Sequence, residues 1–479
     1  MIWIEIEKNS GVPIIRQIYN QICEKILKGE LKGGDQLPST RELATFFNVS
    51  RNVVLEAYEM LLAEGYTISK PNVGTFVAEA AVLDEKPIPA SELVTTINNF
   101  YTELNNDIID FRPGVPALDL IPRKKWIQIR NETLLDSPDY IFGYGFPEGR
   151  TELRNSICRY LQRTRGLNCH PDQVVITSSS VQSFSILSRI LLNNTDSYIL
   201  EDPLHVEIKK VFTLASSSSH SIPVDNNGIQ TALLPKNIDP KFIFVTPSHQ
   251  YPLGGTLPIQ RRIELIQYAR SKDCYIIEDD YDSEYRYTGS PVSSLQGLDP
   301  DHVIYAGTFS KVMFPSIRLA YVILPWSLVN DFREYKRRSD YFTNITDQLA
   351  MSKFIDNMLL DRHISKMKKI YHKRRNYLID SLNRNFGSEI KIHGESTGLH
   401  LICEFSSYEF SEELVHYIYT LGVGVYPVWV HSCRKDYPNN LVIMGYSHLD
   451  LKKIESGVIL LCEGLKKWKD SSLSRSYLI

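Results

Sequence analysis

The chain contains no run of eighteen apolar residues, which excludes a helix of the length that spans a bilayer. No export leader is expected, because the opening Met1-Ile2-Trp3-Ile4-Glu5-Ile6-Glu7 has neither a basic start nor a small-residue cleavage site. A cytoplasmic location with no membrane partner is expected. Cysteine is sparse: Cys23, Cys158, Cys169, Cys274, Cys403, Cys433 and Cys462 form no Cys-x-x-Cys and no metal-ligand spacing. Reduced thiols and no metal site are therefore expected. A surplus of positive charge is missing too, since 53 Lys and Arg stand against 56 Asp and Glu for a net charge of −3. That balance gives no global attraction to nucleic acid, and any DNA contact must come from a local patch. What is present is an ordinary globular composition, 43% hydrophobic and 23% charged over 479 residues, enough for two or three domains.

The chain is organised around Gly307-Thr308-Phe309-Ser310-Lys311 and the Arg318 that follows. The apolar run Val303 to Ala306 reads as a buried strand, so Lys311 falls just past a strand end, where it can point into a crevice. Thr308, Ser310 and Arg318 suit an anionic phosphate held beside an amine nucleophile. Upstream, Cys274 to Ile277 reads as a second buried strand running into Glu278-Asp279-Asp280-Tyr281. Open α/β sheets bind ligands at the carboxyl ends of their strands, so Asp279 can face a ring nitrogen and keep it protonated. The two stretches, with Asp279 32 residues before Lys311, resemble the fold-type I aminotransferases. That resemblance implies pyridoxal 5'-phosphate (PLP) as cofactor, a Schiff base on Lys311, and Tyr281 as a partner of the cofactor phenolate.

Ahead of this region, Ile14, Ile18, Ile22 and Ile26 form one apolar stripe on a helix that ends near Gly29. Pro38-Ser39-Thr40-Arg41-Glu42 reads as a capped helix start, and Ser50 as the cap of a longer helix from Arg51 to Glu64. Val54, Ala57, Tyr58 and Leu61 share its buried face, while Arg51, Asn52 and Leu55 lie on the other. Residues 65–77 alternate apolar and polar around Pro71-Asn72, as a small hairpin does. Two short helices followed by a hairpin make a winged helix-turn-helix, whose second helix offers its first residues to the major groove. The wording Leu37-Pro38-Ser39, Arg41-Glu42-Leu43, Val49-Ser50-Arg51 and Gly74-Thr75-Phe76-Val77 resembles the GntR regulators. It implies double-stranded operator DNA as a partner and Ser39, Arg41, Ser50, Arg51, Asn52, Lys70, Gly74 and Thr75 as DNA-facing residues. Residues 1–79, the expected DNA-binding domain, hold eight Lys or Arg against ten Asp or Glu. A head so poor in phosphate partners binds weakly alone, which favours two heads on two half-sites.

Residues 80–106 sustain no apolar period and read as a linker, within which residues 91–104 can form a helix. The remainder, 107–479, reads as the aminotransferase-like unit. Val174 to Thr177 is a strand leading into Ser178-Ser179-Ser180-Val181 and a helix. Backbone donors at such a start suit a phosphate, so Ser179, Ser180 and Val181 face it from one side and Thr308, Ser310 and Arg318 from the other. Taken together, the chain resembles the MocR subfamily of GntR regulators. The fold this implies is a winged helix-turn-helix head joined to an α/β fold-type I aminotransferase-like domain, its sheet mostly parallel and followed by a smaller C-terminal subdomain. The function it implies is a homodimeric, PLP-dependent transcriptional regulator that senses an amine, an amino acid or PLP itself. The alternative is an aminotransferase that carries a DNA-binding head.

Three positions depart from working aminotransferases. Tyr251 in His249-Gln250-Tyr251-Pro252 stands where their asparagine contacts the cofactor, and His205 replaces the usual aromatic ring stacked on the pyridine. No arginine precedes Leu441-Val442-Ile443-Met444-Gly445 to bind a substrate carboxylate, and Arg434 is the nearest candidate. At most a slow transamination half-reaction is expected. If residues 205–207 are extended, Glu207 points to the same side as His205 and disfavours an acidic effector; if a helix starts there, Glu207 turns to solvent.

Overall fold

The computed structural model describes residues 4–7, 10–79, 107–289 and 292–476. The chain divides into two compact units, Met1–Tyr101 and Thr102–Ile479. The linker expected over 80–106, with its helix, lies outside the described residues.

In the first unit, α1 (Ile14–Leu27), α2 (Thr40–Phe47) and α3 (Arg51–Ala63) precede a hairpin of β1 (Thr67–Lys70) and β2 (Gly74–Val77). The expected stripe on α1 forms: Ile18, Ile22 and Ile26 are fully buried in one cluster with Val54, Ala57 and Leu61 of α3. Each isoleucine so buried contributes about 1.5–3 kcal/mol. A capping box starts α2, with the Glu42 N–H donating to Ser39 Oγ at 3.2 Å and the Ser39 N–H donating to the Glu42 carboxylate at 2.8 Å. Ser50 occupies the cap position of α3, but its hydroxyl makes no capping bond. In the wing, Gly74 has φ 144°, and a Cβ there would lie 2.7 Å from Gln36 Nε2, so backbone geometry alone accounts for this glycine.

The second unit is built on an eight-stranded sheet. Its strands in chain order are β4 (Val174–Thr177), β5 (Tyr198–Asp202), β6 (Ser219–Asp225), β7 (Gly228–Ile229), β8 (Phe242–Val245), β9 (Tyr275–Asp280), β10 (Val303–Thr308) and β11 (Ala320–Ile323). A short β3 (Ile109–Asp110) precedes them and pairs elsewhere. The spatial order is β4-β11-β10-β9-β8-β5-β6-β7. From β10 through β9, β8 and β5 to β6 every pairing is parallel. At the edges, β11 runs antiparallel to both β10 and β4, and β7 antiparallel to β6. Strands β4 and β10 thus share one direction, and the loops after β4, β5, β9 and β10 leave the same edge of the sheet. Every residue of β4, β5 and β8 is buried, as continuous apolar strands require when helices cover both faces.

A smaller antiparallel sheet follows, of β12 (Ile390–His393), β13 (His400–Phe405), β15 (Tyr426–Pro427) and β16 (Leu441–Gly445), ordered β12-β13-β16-β15. The two-residue strand β14 (Val423–Gly424) pairs in parallel with β3 and ties the start of this unit to its C-terminal part. This is the expected C-terminal subdomain. Among the described residues no helix is long and apolar enough to cross a membrane.

Candidate functional site

Asp279 and Lys311 emerge from neighbouring parallel strands. Asp279 of β9 lies opposite Ala306 of β10, and Lys311 follows in the turn after β10 ends at Thr308. The Lys311 ammonium donates to the Gly114 carbonyl at 2.7 Å. Gly114 has φ 71°, and a Cβ there would stand 3.0 Å from Lys311 Nζ, so only glycine lets the lysine lie down in this place. Desolvation pushes the Lys311 pKa below the ordinary lysine value, against the opposing pull of Asp282 and Asp279.

Asp279 is buried, and its Oδ1 has no hydrogen-bond partner among the described residues. Burial, reinforced by Asp280 and Asp282 and opposed by Lys311, raises its pKa to about 8. A buried carboxyl oxygen with no donor is costly, about 1–3 kcal/mol, and a protonated ring nitrogen is the type of group that would satisfy it. The residues present therefore fit PLP at this end of the site.

They also fit its phosphate. Ser179 is the N-cap of α6 (Ser180–Leu191), its Oγ accepting from the Gln182 N–H at 3.1 Å. This leaves the hydroxyl hydrogen available, and the Ser180 and Val181 N–H groups in the first turn have no intrahelical acceptor. Thr308 Oγ1 accepts from the Ser310 N–H at 3.1 Å, again leaving its own hydrogen to donate. Arg318 sits in the left-handed region at φ 51°. Its exposed guanidinium has no ion pair or hydrogen bond among the described residues.

Around the amine, the site is walled by imidazoles and phenols. The Tyr281 hydroxyl stands 2.9 Å from His249 Nδ1, and the Asp282 carboxylate 2.9 Å from the same nitrogen. Tyr251 is buried, with ring centroids 5.1 Å from His205, 5.4 Å from His400 and 5.2 Å from His431. His205 caps α7 (Val206–Thr213), its Nδ1 accepting from the Glu207 N–H at 3.3 Å. His431 Nδ1 accepts from the Val206 N–H, also at 3.3 Å. Two imidazoles thus cap the first turn of α7, which fixes both, when neutral, as Nε2–H tautomers. Burial, with Lys311 nearby, lowers the His205 pKa to about 4. Burial, with a charged neighbouring imidazole unfavourable, lowers His400 and His431 to about 3. All three are neutral at pH 7.

His249, Asp282 and His400 offer ligand atoms within 4.8 Å of one another. Asp282 is hydrogen-bonded to His249 Nδ1 at 2.9 Å.

One expectation needs correction. Residues 205–207 are not extended: α7 begins at Val206, and Glu207 is ion-paired with Lys210 at 2.8 Å on its own helix. The selection against acidic effectors assigned to Glu207 falls with that geometry. Arg434 is exposed, its Nε 3.5 Å from the buried Asp202 carboxylate and its guanidinium over the Tyr437 ring. This places it beside the end of β5, with its side chain open to solvent.

In the head, Arg41, Ser50, Arg51, Asn52 and Lys70 are exposed and Thr75 is half-buried. Arg51 Nε reaches Thr40 Oγ1 at 3.4 Å, and the Lys70 ammonium lies over the Phe76 ring. Ser39 is exposed, but its oxygen accepts the capping bond of α2.

Comparison with known proteins accounts for both units. The family of aminotransferases of class I and II matches residues 106–435, and the bacterial regulatory proteins of the gntR family match residues 14–77. The HTH-type transcriptional regulator YdeL of Bacillus subtilis is 34% identical over 95% of this chain and 97% of its own length. The probable rhizopine catabolism regulatory protein MocR of Rhizobium meliloti is 30% identical over 95% of this chain and 94% of its own. Among solved structures, the multiple substrate aminotransferase of Thermococcus profundus superposes with a TM-score of 0.71 at 25% identity, covering 77% of this chain and 93% of that one.

Proposed function

The chain belongs to the MocR subfamily of GntR-type transcriptional regulators, and on that premise we propose that its aminotransferase-like unit holds PLP on Lys311 and uses it to sense an amine or amino acid. The aminotransferase fold family is PLP-dependent, and GntR regulators bind DNA. When bound, PLP supplies an aldehyde carbon that a primary amine can condense with and a ring that withdraws electrons.

This chain's residues would do the rest. Lys311, desolvated, presents its amine. Asp279 holds a proton at the ring nitrogen, and Tyr281 donates to the phenolate oxygen while His249 and Asp282 orient it. Ser179, Ser180, Val181, Thr308, Ser310 and Arg318 bind the phosphate. His205 covers the ring face, and Tyr251 closes the wall beside it. The observation that carries the reading is the pairing of a desolvated lysine with an unpartnered buried Asp279 on adjacent strands.

An effector that displaces Lys311 favours one arrangement of the protein over another, and DNA affinity changes by linkage. The head engages operator DNA through Arg41, Ser50, Arg51 and Asn52 with the wing residues Lys70 and Thr75. A homodimer supplies two heads. Tyr140, Phe142, Tyr144 and Phe146 are each at least 60% exposed in one short stretch, an apolar surface that a second copy of the chain would cover. The relatives that match nearly the whole chain are HTH-type regulators, which favours the regulator reading over the aminotransferase one.

The test is a titration of PLP-loaded protein with a panel of amines and amino acids, followed in the visible spectrum. At least one should shift the band, and borohydride should fix PLP to Lys311. No reducible adduct on Lys311 overturns the reading.

A further inference from the structure

Cys158 and Cys169 face each other outside the cofactor site. Cys158 lies on α5 (Thr151–Arg165) and Cys169 in the loop that follows. The Cys169 thiol donates to Cys158 Sγ at 3.3 Å, a separation at which only a short movement is needed to join the sulfurs. Both are half-buried, whereas Cys23, Cys274, Cys403 and Cys462 are buried. We propose that Cys158 and Cys169 are a modification site, a dithiol that a hydroperoxide oxidises to a disulfide.

Charge and hydrogen bonding set the order of events. The hydrogen bond from Cys169, with Arg154 and Arg159 nearby, lowers the Cys158 pKa, while the same bond and burial raise that of Cys169. Cys158 is the nucleophile and Cys169 the resolving thiol. The Cys158 thiolate attacks one peroxide oxygen, the O–O bond breaks and hydroxide leaves, so that Cys158 becomes a sulfenic acid. Cys169 sulfur then attacks the Cys158 sulfur, the S–O bond breaks, and the Cys169 proton leaves with the departing hydroxide as water. Two electrons pass from the pair of thiols to the peroxide.

The closed segment touches the end of β9. Arg165, between the two cysteines, is ion-paired with Asp280 at 2.8 Å and donates to Ser248 Oγ at 2.6 Å. Asp280 adjoins Asp279, and Ser248 adjoins His249. A cross-link from 158 to 169 therefore encloses the residue that braces Asp280 and Ser248.

The experiment treats the full-length protein with a small excess of hydrogen peroxide, alkylates the remaining thiols and maps the peptides. The expected result is loss of two thiols together, a linked peptide joining Cys158 and Cys169, and full reversal by dithiothreitol. Cys158 should react ~10-fold or more faster than Cys433, which is also half-buried but has no thiol partner. In Cys169→Ser the linked peptide should disappear and a trappable sulfenic acid should accumulate on Cys158. Oxidation of Cys158 to sulfinic acid without a link in the unmutated protein, or equal rates at Cys158 and Cys433, would overturn the proposal; both are read without any variant.

Discussion

The Tyr281 hydroxyl and His249 Nδ1 are 2.9 Å apart, and Asp282 shares that nitrogen. With Asp282 accepting the Nδ1–H, the Tyr281 hydroxyl hydrogen is not taken up by His249 and is available to a cofactor phenolate. A donor so aimed stabilises an ionised phenolate. Replacing Tyr281 by Phe should raise the pH at which the visible band of PLP-loaded protein titrates by about one unit, equal to about 1.4 kcal/mol. His249→Gln should raise it by less. A spectrophotometric pH titration checks both, and an unmoved midpoint in Tyr281→Phe would remove this role.

Asp279 links the site to stability. Its folded-state pKa of about 8 lies above the ordinary aspartate value. In PLP-free protein the unfolded chain therefore loses this proton first as pH rises, and stability falls between roughly pH 4 and 8. Asp279→Asn abolishes that dependence. The PLP-free Asn variant should melt higher than PLP-free native protein at pH 8 and close to it at pH 4, while holding PLP more weakly. Differential scanning calorimetry at the two pH values decides it.

Arg51 opens α3 and Arg41 lies on α2, both exposed. Arg51→Ala should cost about 1–3 kcal/mol of binding to a duplex selected from random sequence, if the residue reads a guanine. If it meets a phosphate, the loss should be uniform across sequences and the salt slope should fall by about one. Equal affinity of both alanine variants and native protein, with the head folded, would exclude this face.

Tyr144 is 89% exposed, and its ring meets those of Tyr341 and Phe342. A large aromatic held in this way suits an interface anchor. Sedimentation at micromolar concentration should give a dimer, and Tyr144→Glu should weaken it by ~10-fold or more. A native protein that sediments as a monomer with PLP bound contradicts the two-headed arrangement.

What was legible in the sequence was local. Lys311 and Asp279 each follow a short apolar strand, and strand ends in parallel sheets converge by rule, so their meeting could be read from spacing. The stripe of Ile18, Ile22 and Ile26 and the capping box of Ser39 and Glu42 are equally local signals. His400 and His431 carried no such mark, because the chain returns them to the site only through the antiparallel C-terminal sheet. His249 stood in the quoted wording, but its partner Asp282 lies 33 residues on and only the fold joins them. Glu207 was ambiguous because Val206, Ile208, Val211 and Phe212 fit a helix as well as an extended entry; His205 and His431, capping the helix, decide it. Arg434 is close in sequence to β16, but the buried Asp202 beside it comes from a distant strand.

The proposed coupling is that an amine, read through PLP on Lys311, changes how the head binds DNA. Its most direct test uses a duplex selected from random sequence by the PLP-loaded protein and an amine chosen because it shifts the visible band. Duplex affinity is then measured with and without that amine, in native protein and in Lys311→Ala. A change of about 5-fold or more is expected in native protein, the lower end of ordinary allosteric coupling, and none in the variant. Affinity that ignores the amine in native protein, or responds equally in Lys311→Ala, would contradict it.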